Sequence, residues 1–325
     1  MYFCRNYSSK IMSKLTSLEI CAGGGGQALG LEEAGFDHAV LVEIEPLACQ
    51  TLKTNRPHWN VIQGDLRNFT AKHYHGKIDL LAGGVPCPPF SIAGKQLGHL
   101  DDRDLFPEAI RLIKECDPKA VLLENVRGLL DPKFEYYRKA IIAEIEKFGY
   151  KVEWKLLNSS DYGVSQLRPR AVLVAIKKEY FTFFEWPQKH EKEPETIGEL
   201  LFEEISKFGW KRANEWKRKA NNIAPTLVGG SKKHGGPDLG PTRARKAWAE
   251  MGIDGMGLAD NPPSEDFEGN PRLTLNMTAL IQGFPKEWKF AGKKTAAYRQ
   301  IGNAFPPPVA KVIGTSIYKA LNYGT

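Results

Sequence analysis

Short apolar runs alternate with amphipathic stretches through the first half of the chain, and this rhythm predicts a parallel sheet flanked by helices. Ser17–Cys21, Ala39–Glu43, Val61–Asp65, Ile78–Ala82 and Ala120–Val126 each read as a buried strand. Between them, apolar positions recur at helical spacing. A helix is expected from about Gln27 to Ala34, another from Pro46 to about Lys53, and a third carrying Leu105, Ala109, Ile110, Leu112, Ile113 and Cys116 on its core face. That spacing makes Cys116 a core residue. A fourth helix bears Ile141, Ile142, Ile145 and Phe148 and stops at Gly149, and Val152–Leu157 and Ala171–Ile176 follow as paired strands. After Trp186-Pro187 the rhythm is lost and turn residues and charges dominate to about residue 290. The chain closes with an amphipathic helix through Val309, Val312, Ile313, Ile317 and Leu321, for which the large sheet is the natural host. The expected fold is therefore α/β and Rossmann-like, with a second, smaller domain. The expected units are a first part over 1–186, a separate segment over 187–290, and a return to the first domain over 291–325.

The residues at the strand ends give this pattern a chemical direction. Ala22-Gly23-Gly24-Gly25-Gly26 lies between a strand and a helix, where glycines let a nucleotide approach the backbone. A structural turn would use the same glycines. Glu43 ends the next strand, 20 residues after Gly23, the interval at which an acid accepts from ribose hydroxyls. Asp65, at the exit of the third strand, suits either an adenine amino group or a helix N-cap. Gly83-Gly84 is expected to end the fourth strand. Val85-Pro86-Cys87-Pro88-Pro89-Phe90-Ser91 then holds Cys87 in a stiff loop at the carboxyl end of a central strand, where open α/β sheets place their chemistry. Residues 91–104 form a polar, glycine-punctuated stretch long enough for a moving lid. Glu124 ends an otherwise apolar strand, a costly position for an idle carboxylate. Arg168 and Arg170, two apart in an extended segment, point the same way.

Charge is concentrated rather than spread. Residues 207–246 hold eleven Lys/Arg against two Asp/Glu, more than the chain's whole net charge of +7. Trp210, Trp216 and Trp248 are interleaved there, with glycine loops at 226–231 and 235–236. Such a segment is an electrostatic footprint for a polyanion. Five cysteines in irregular spacing, without a Cys-x-x-Cys pair, argue against a structural zinc and for reduced thiols in an intracellular setting. No apolar run is long enough to span a bilayer. The first residues lack the apolar core of a signal peptide, and Met12 offers an alternative start.

In order, the glycine loop, Glu43, Gly64-Asp65, Pro86-Cys87, Glu124-Asn125-Val126, Gln166-x-Arg168-x-Arg170, Gln282-Gly283-Phe284-Pro285 and Gln300-x-Gly302-Asn303 resemble the motif series of the DNA (cytosine-5)-methyltransferases of the bacterial restriction–modification type. The resemblance runs from Ser17 to the last helix. It implies a cytoplasmic, DNA-associated enzyme that works as a monomer on double-stranded DNA, away from membranes, with S-adenosylmethionine as methyl donor. A cognate restriction endonuclease would cut the same site without binding the enzyme. It makes 187–290 the target recognition domain. It implies Cys87, Glu124, Arg168 and Arg170 as the catalytic set, with Cys87 as nucleophile at C6 and Glu124 as the acid at N3. Arg168 would lie at the cytosine carbonyl, and Arg170 at a phosphate or at Glu124. The donor's methionine part would lie near Gly23 and Gly25 with support from Asn303 and Ala304. Glu43 would hold the ribose, Ile44 would pack on adenine, and Asp65 would take the adenine amino group. Ile20, Cys21, Ala22, Gln27, Leu66, Gly83 and Pro86 complete the implied cofactor site. Implied DNA contacts are Ser91, Lys95, Gln96, Thr226, Ser231, Lys232, Lys233, Arg243 and Arg245. The chain departs from the family at Cys21, where Phe is usual, at Pro88, where Gln is common, and at Met277, where Glu is frequent.

Three other readings share these features. One is a dinucleotide-dependent oxidoreductase with the same opening fold, another is the tRNA-methylating branch of the family, and a third is a catalytically dead DNA-binding module, against which the presence of both Cys87 and Glu124 argues.

Overall fold

Residues 14–86, 104–229 and 236–323 are described by a computed structural model. Their strands are β1 (Leu15–Ile20), β2 (Phe36–Glu43), β3 (Val61–Gln63), β4 (Leu80–Gly84), β5 (Ala120–Val126), β6 (Tyr150–Asn158) and β7 (Pro169–Lys177). They make one sheet in the order β3-β2-β1-β4-β5-β7-β6. The first five are parallel, and β7 runs antiparallel to both β5 and β6. The order reverses between β1 and β4, so their carboxyl ends flank the crevice where such sheets bind ligands.

The continuous apolar runs are explained by burial on both faces. On one, Leu18, Ile20, Leu81, Val121 and Leu123 meet α3 (Phe106–Cys116) and α4 (Glu135–Glu146), with Cys116 fully buried among them. On the other, Leu80, Leu122, Val172 and Val174 meet the last helix, Pro307–Tyr323, through Val309, Ile313 and Ile317. The last helix thus packs on the large sheet as its amphipathic pattern predicts.

It also crosses α1 (Gly26–Glu33) closely. A Cβ at Gly30 would lie 2.3 Å from the Pro307 carbonyl oxygen and 2.6 Å from Ala310 Cβ. Gly30→Ala is therefore expected to force the two helices apart, at a cost of about 1–3 kcal/mol. The check is the urea midpoint, which should fall without a change in slope.

Gly83 and Gly84 end β4 as expected, as its last two paired residues. A Cβ on Gly83 would sit 2.5 Å from the Ile20 carbonyl oxygen, so glycine here permits the close β1–β4 pairing.

A separate cluster gathers residues from the charged second half: Ile197, Leu201, Trp210, Trp216, Leu239, Trp248, Met251, Leu273 and Met277. The three tryptophans expected to stand among the basic residues are buried in this core. Met277 sits at the third position of the helix Leu275–Ile281, and the Thr274 amide donates to its Sδ at 3.4 Å. The same helix also contributes Ala279 to a cluster around α1 and β2, together with Phe284, Trp288 and Ile301. Residues 284–290 therefore pack on the first half of the chain, inside the span assigned by sequence to the second unit.

Candidate active site

The crevice begins where β1 turns into α1. Cys21 and Gly23 take positive φ, 51° and 54°, and Gly25 follows at 87°. The Gly23 amide donates to Glu43 Oε2 at 2.7 Å, and the Glu45 amide donates to Oε1 at 2.8 Å. Glu43 thus tethers the glycine loop to the start of α2 (Pro46–Asn55). It is buried, and burial pushes its pKa up against those amide bonds. A Cβ on Gly23 would meet nothing within 4 Å, so the loop is open on that side. Ile44, beside it, is 54% exposed, unusual for an isoleucine next to a core strand. Asp65 accepts from the Arg67 amide at 2.9 Å and from Arg67 Nε at 3.1 Å, capping a short 3-10 turn. Those bonds, the amide's first, hold its carboxyl below the usual range.

Other expected cofactor residues divide between crevice and core. Ala22, Gly83, Pro86, Asn303 and Ala304 lie at strand or helix ends, with Pro86 and Asn303 exposed. Ile20 and Leu66 are buried in the sheet core. Gln27 departs from expectation. It is buried, with its amide nitrogen 3.5 Å from the Leu122 carbonyl oxygen and its Oε1 unpaired, so its side chain turns onto the sheet.

At the next strand ends, Glu124 is in register with Gly84. Its Oε1 accepts from Arg170 Nε at 2.7 Å, and its Oε2 lies 3.4 Å from where a Gly84 Cβ would stand. Both partners of this ion pair are buried. Burial raises the Glu124 pKa, and the Arg170 guanidinium opposes that rise. Asn125 Nδ2 donates to the Val85 carbonyl at 2.7 Å, fixing the backbone two residues before Cys87. Beyond it, the Leu105 amide donates to the Pro86 carbonyl at 3.2 Å. Cys87, Ser91, Lys95 and Gln96, and residues 91–103 of the expected lid, lie outside the described residues. Among the described thiols, burial pushes up the pKa of Cys21, of Cys49 (to about 11) and of Cys116 (to about 12). None of these three is poised as a thiolate.

Arg168 corrects the expected catalytic set. It is fully buried, Nη1 donates to Leu227 O at 2.8 Å, and Nη2 donates to Gly302 O at 2.8 Å and Ala304 O at 2.9 Å. Its terminal nitrogens are thus engaged with main-chain carbonyls from two distant segments rather than offered to a base. Gln166 works beside it. Gln166 Nε2 donates to Gln282 Oε1 at 2.8 Å, and its Oε1 accepts from the Leu227 amide at 2.8 Å. Spacing alone could not separate the two arginines, because only tertiary contacts show which one faces carbonyls and which a carboxylate.

Of the expected DNA contacts, Thr226 is half-buried and its hydroxyl donates to the Leu167 carbonyl. Arg243 is exposed, and Arg245 lies along Thr242 and Met256. Ser231, Lys232 and Lys233 lie outside the described residues. Gly229 approaches protein rather than an open groove: its Cβ would lie 2.7 Å from the Arg299 carbonyl oxygen. Sequence reasoning passed over Trp288, whose indole donates to the Gly24 carbonyl at 3.1 Å.

A mostly parallel seven-stranded sheet, with a glycine loop and acid at one crevice wall and a buried Glu–Arg pair at the other, defines a Rossmann-like α/β fold with a crevice suited to a nucleotide-bearing ligand. The C-5 cytosine-specific DNA methylase family model matches residues 15–319. Type II methyltransferase M.NgoMIV of Neisseria gonorrhoeae is 60% identical over 311 residues, covering 95% of this chain and 98% of its own. M.NaeI of Lentzea aerocolonigenes is 54% identical, over 96% of this chain and 76% of its own. The chain belongs to the C-5 cytosine-specific DNA methylase family. Among solved structures, Spodoptera frugiperda DNMT2 has a TM-score of 0.65 at 18% identity, over 94% of this chain and 99% of its own. Entamoeba histolytica EhMeth has 0.66 at 15%, over 95% and 99%. At such identities the likeness is one of fold.

Proposed function

We propose that this enzyme transfers a methyl group from S-adenosylmethionine to carbon 5 of a flipped-out cytosine in a specific duplex sequence, within a restriction–modification system. The observation that carries this reading is the buried Glu124–Arg170 pair in register with Gly84, three residues before Cys87. Relatives named as Type II methyltransferases, at 60% and 54% identity, favour DNA over tRNA as substrate. The basic segment 207–246 agrees with a polyanionic partner.

The open side of Gly23, the tethered Glu43 and the exposed Ile44 suit a nucleoside-bearing donor. Glu43 would take the ribose hydroxyls, Ile44 the adenine face and Asp65 its amino group, with Gly25, Asn303 and Ala304 near the methionine part. When bound, S-adenosylmethionine supplies an electrophilic methyl group. The protein's own task is to make carbon 5 nucleophilic. Cys87 adds to C6 as thiolate while Glu124, protonated, donates at N3. The electron pair moves to C5. After methylation the C5 proton is lost to water, Cys87 departs as thiolate, and N3 returns its proton to the Glu124 carboxylate, which restores the neutral aromatic ring. With Arg168 committed to carbonyls, Arg170 is the arginine left to meet the cytosine carbonyl while holding Glu124. Reaching the base inside a duplex requires flipping, which costs a few kcal/mol. The recognition segment extends from 187 to about 274, with 275–290 as its seam to the sheet.

Glu124→Gln keeps the shape of the side chain and replaces the transferable acid proton with amide N–H groups that do not ionise. The methylation rate is expected to fall about 10²–10⁴-fold with DNA binding retained. Because protonated Glu124 is the competent form, the limb of kcat/KM that it controls falls as pH rises. That limb should vanish from the pH profile of the variant. Methyl incorporation from labelled S-adenosylmethionine, followed by base-resolution mapping, tests the function itself. Label at cytosines of one short DNA motif supports it. Label confined to tRNA, or none in nucleic acid, overturns it.

A further inference from the structure

The glycine loop has one open side and one packed side, and the packing comes from the far end of the sequence. A Cβ on Gly24 would lie 3.2 Å from Phe290 Cε1, one on Gly25 2.9 Å from Trp288 Cζ2, and one on Gly26 3.2 Å from Phe284 Cζ. Only one of these aromatic residues also grips the loop by a polar bond. Trp288 is 5% exposed and donates Nε1–H to the Gly24 carbonyl at 3.1 Å. Its ring is itself held. The Arg56 guanidinium lies 5.3 Å from its centroid and 5.8 Å from that of Trp59, and Arg56 Nε donates to Glu32 Oε2 at 2.7 Å. The backbone just after Trp288 is stitched to α2. Asn55 Nδ2 donates to Lys289 O at 2.7 Å, the Lys289 amide returns to Asn55 Oδ1 at 2.9 Å, and the Ala291 amide donates to Thr51 Oγ1 at 2.9 Å.

We propose that Trp288 is a positioning residue for the methyl donor: from behind the loop it fixes the Gly24 peptide, and so the orientation of the Gly23 and Gly25 backbone on the donor side. This rests on the S-adenosylmethionine reading above. A peptide plane gripped on its carbonyl side cannot rotate without losing that bond. The Gly23 amide is held by Glu43 and the Gly25 amide donates to the Ala22 carbonyl at 3.1 Å, and the Trp288 bond adds the carbonyl end of the Gly24 peptide to these in a loop with no side chains of its own. Trp288 touches neither donor nor base, so its effect is on donor binding, not on the chemical step.

Trp288→Phe keeps an aromatic ring and removes the indole N–H. It is expected to raise the Kd and KM for S-adenosylmethionine about three- to tenfold, with kcat at saturating donor nearly unchanged. Trp59→Phe is the control. Trp59 is equally buried in the same cluster, but its indole donates to Glu32 Oε1 rather than to the loop. It should lower Tm comparably and leave the donor KM unmoved. An unchanged KM in Trp288→Phe, or an equal rise in Trp59→Phe, overturns the proposal. If Trp288→Phe does not fold, Trp288→His, whose smaller ring keeps an N–H, should retain more donor affinity than Trp288→Leu, and equal affinities overturn the proposal. Failure of the wild-type enzyme to bind S-adenosylmethionine would instead sink the functional reading and is seen before any variant is made.

Discussion

Arg168→Ala is expected to lower Tm by about 10 °C or to leave the protein insoluble. The variant strands the carbonyls of Leu227 and Gly302 in a region from which water is excluded, and leaves that of Ala304 with Gln282 Nε2 as its remaining donor. Each unpaired buried carbonyl costs about 1–3 kcal/mol, against a typical total stability of about 5–15 kcal/mol. Arg168→Lys should rescue only in part, because one ammonium cannot reproduce a planar fork spread over three acceptors. Thermal unfolding followed by circular dichroism decides the matter. A variant with wild-type Tm and no methyl transfer would restore Arg168 to the base-contacting role that sequence spacing suggested.

Cys87→Ala should reduce methyl transfer to background while leaving duplex binding within about twofold, since affinity for DNA rests mainly on phosphate contacts. Cys87→Ser should be nearly as inactive, because a hydroxyl is far less ionised than a thiol at neutral pH. The described cysteines, Cys21, Cys49 and Cys116, cannot substitute, as burial holds each of them in the thiol form. Gel-shift binding and label incorporation on the same preparation separate the two effects. Transfer at the wild-type rate would remove Cys87 from the mechanism.

Strand ends were the legible part of this sequence. Glu43 and Glu124 stood out because a carboxylate closing an apolar run needs a reason, and both lie at the crevice. The last helix was legible because its stripe of valine and isoleucine had to find an apolar host. Gln27, Arg168 and Trp288 were not readable, and for one physical reason. Their hydrogen-bond partners include the carbonyls of Leu122, of Leu227 and Gly302, and of Gly24, backbone groups 59 to 264 positions away. Backbone carbonyls are the same at every residue, so no sequence pattern marks which of them lacks a donor. The tryptophans of the basic segment misled in the opposite way. They are interleaved with lysines and arginines in sequence, but the segment uses them for a core of its own.

The measurement that bears most directly on the central claim is a trapping experiment. A duplex carrying the methylated motif with 5-fluorocytosine at the target is incubated with the enzyme and S-adenosylmethionine, and the digested product is analysed by mass spectrometry. Fluorine cannot leave C5 as a proton does, so the account predicts a stable covalent complex, with the methylated base attached to the peptide containing Cys87. Full binding of this duplex without any adduct, or an adduct on another residue, would contradict it.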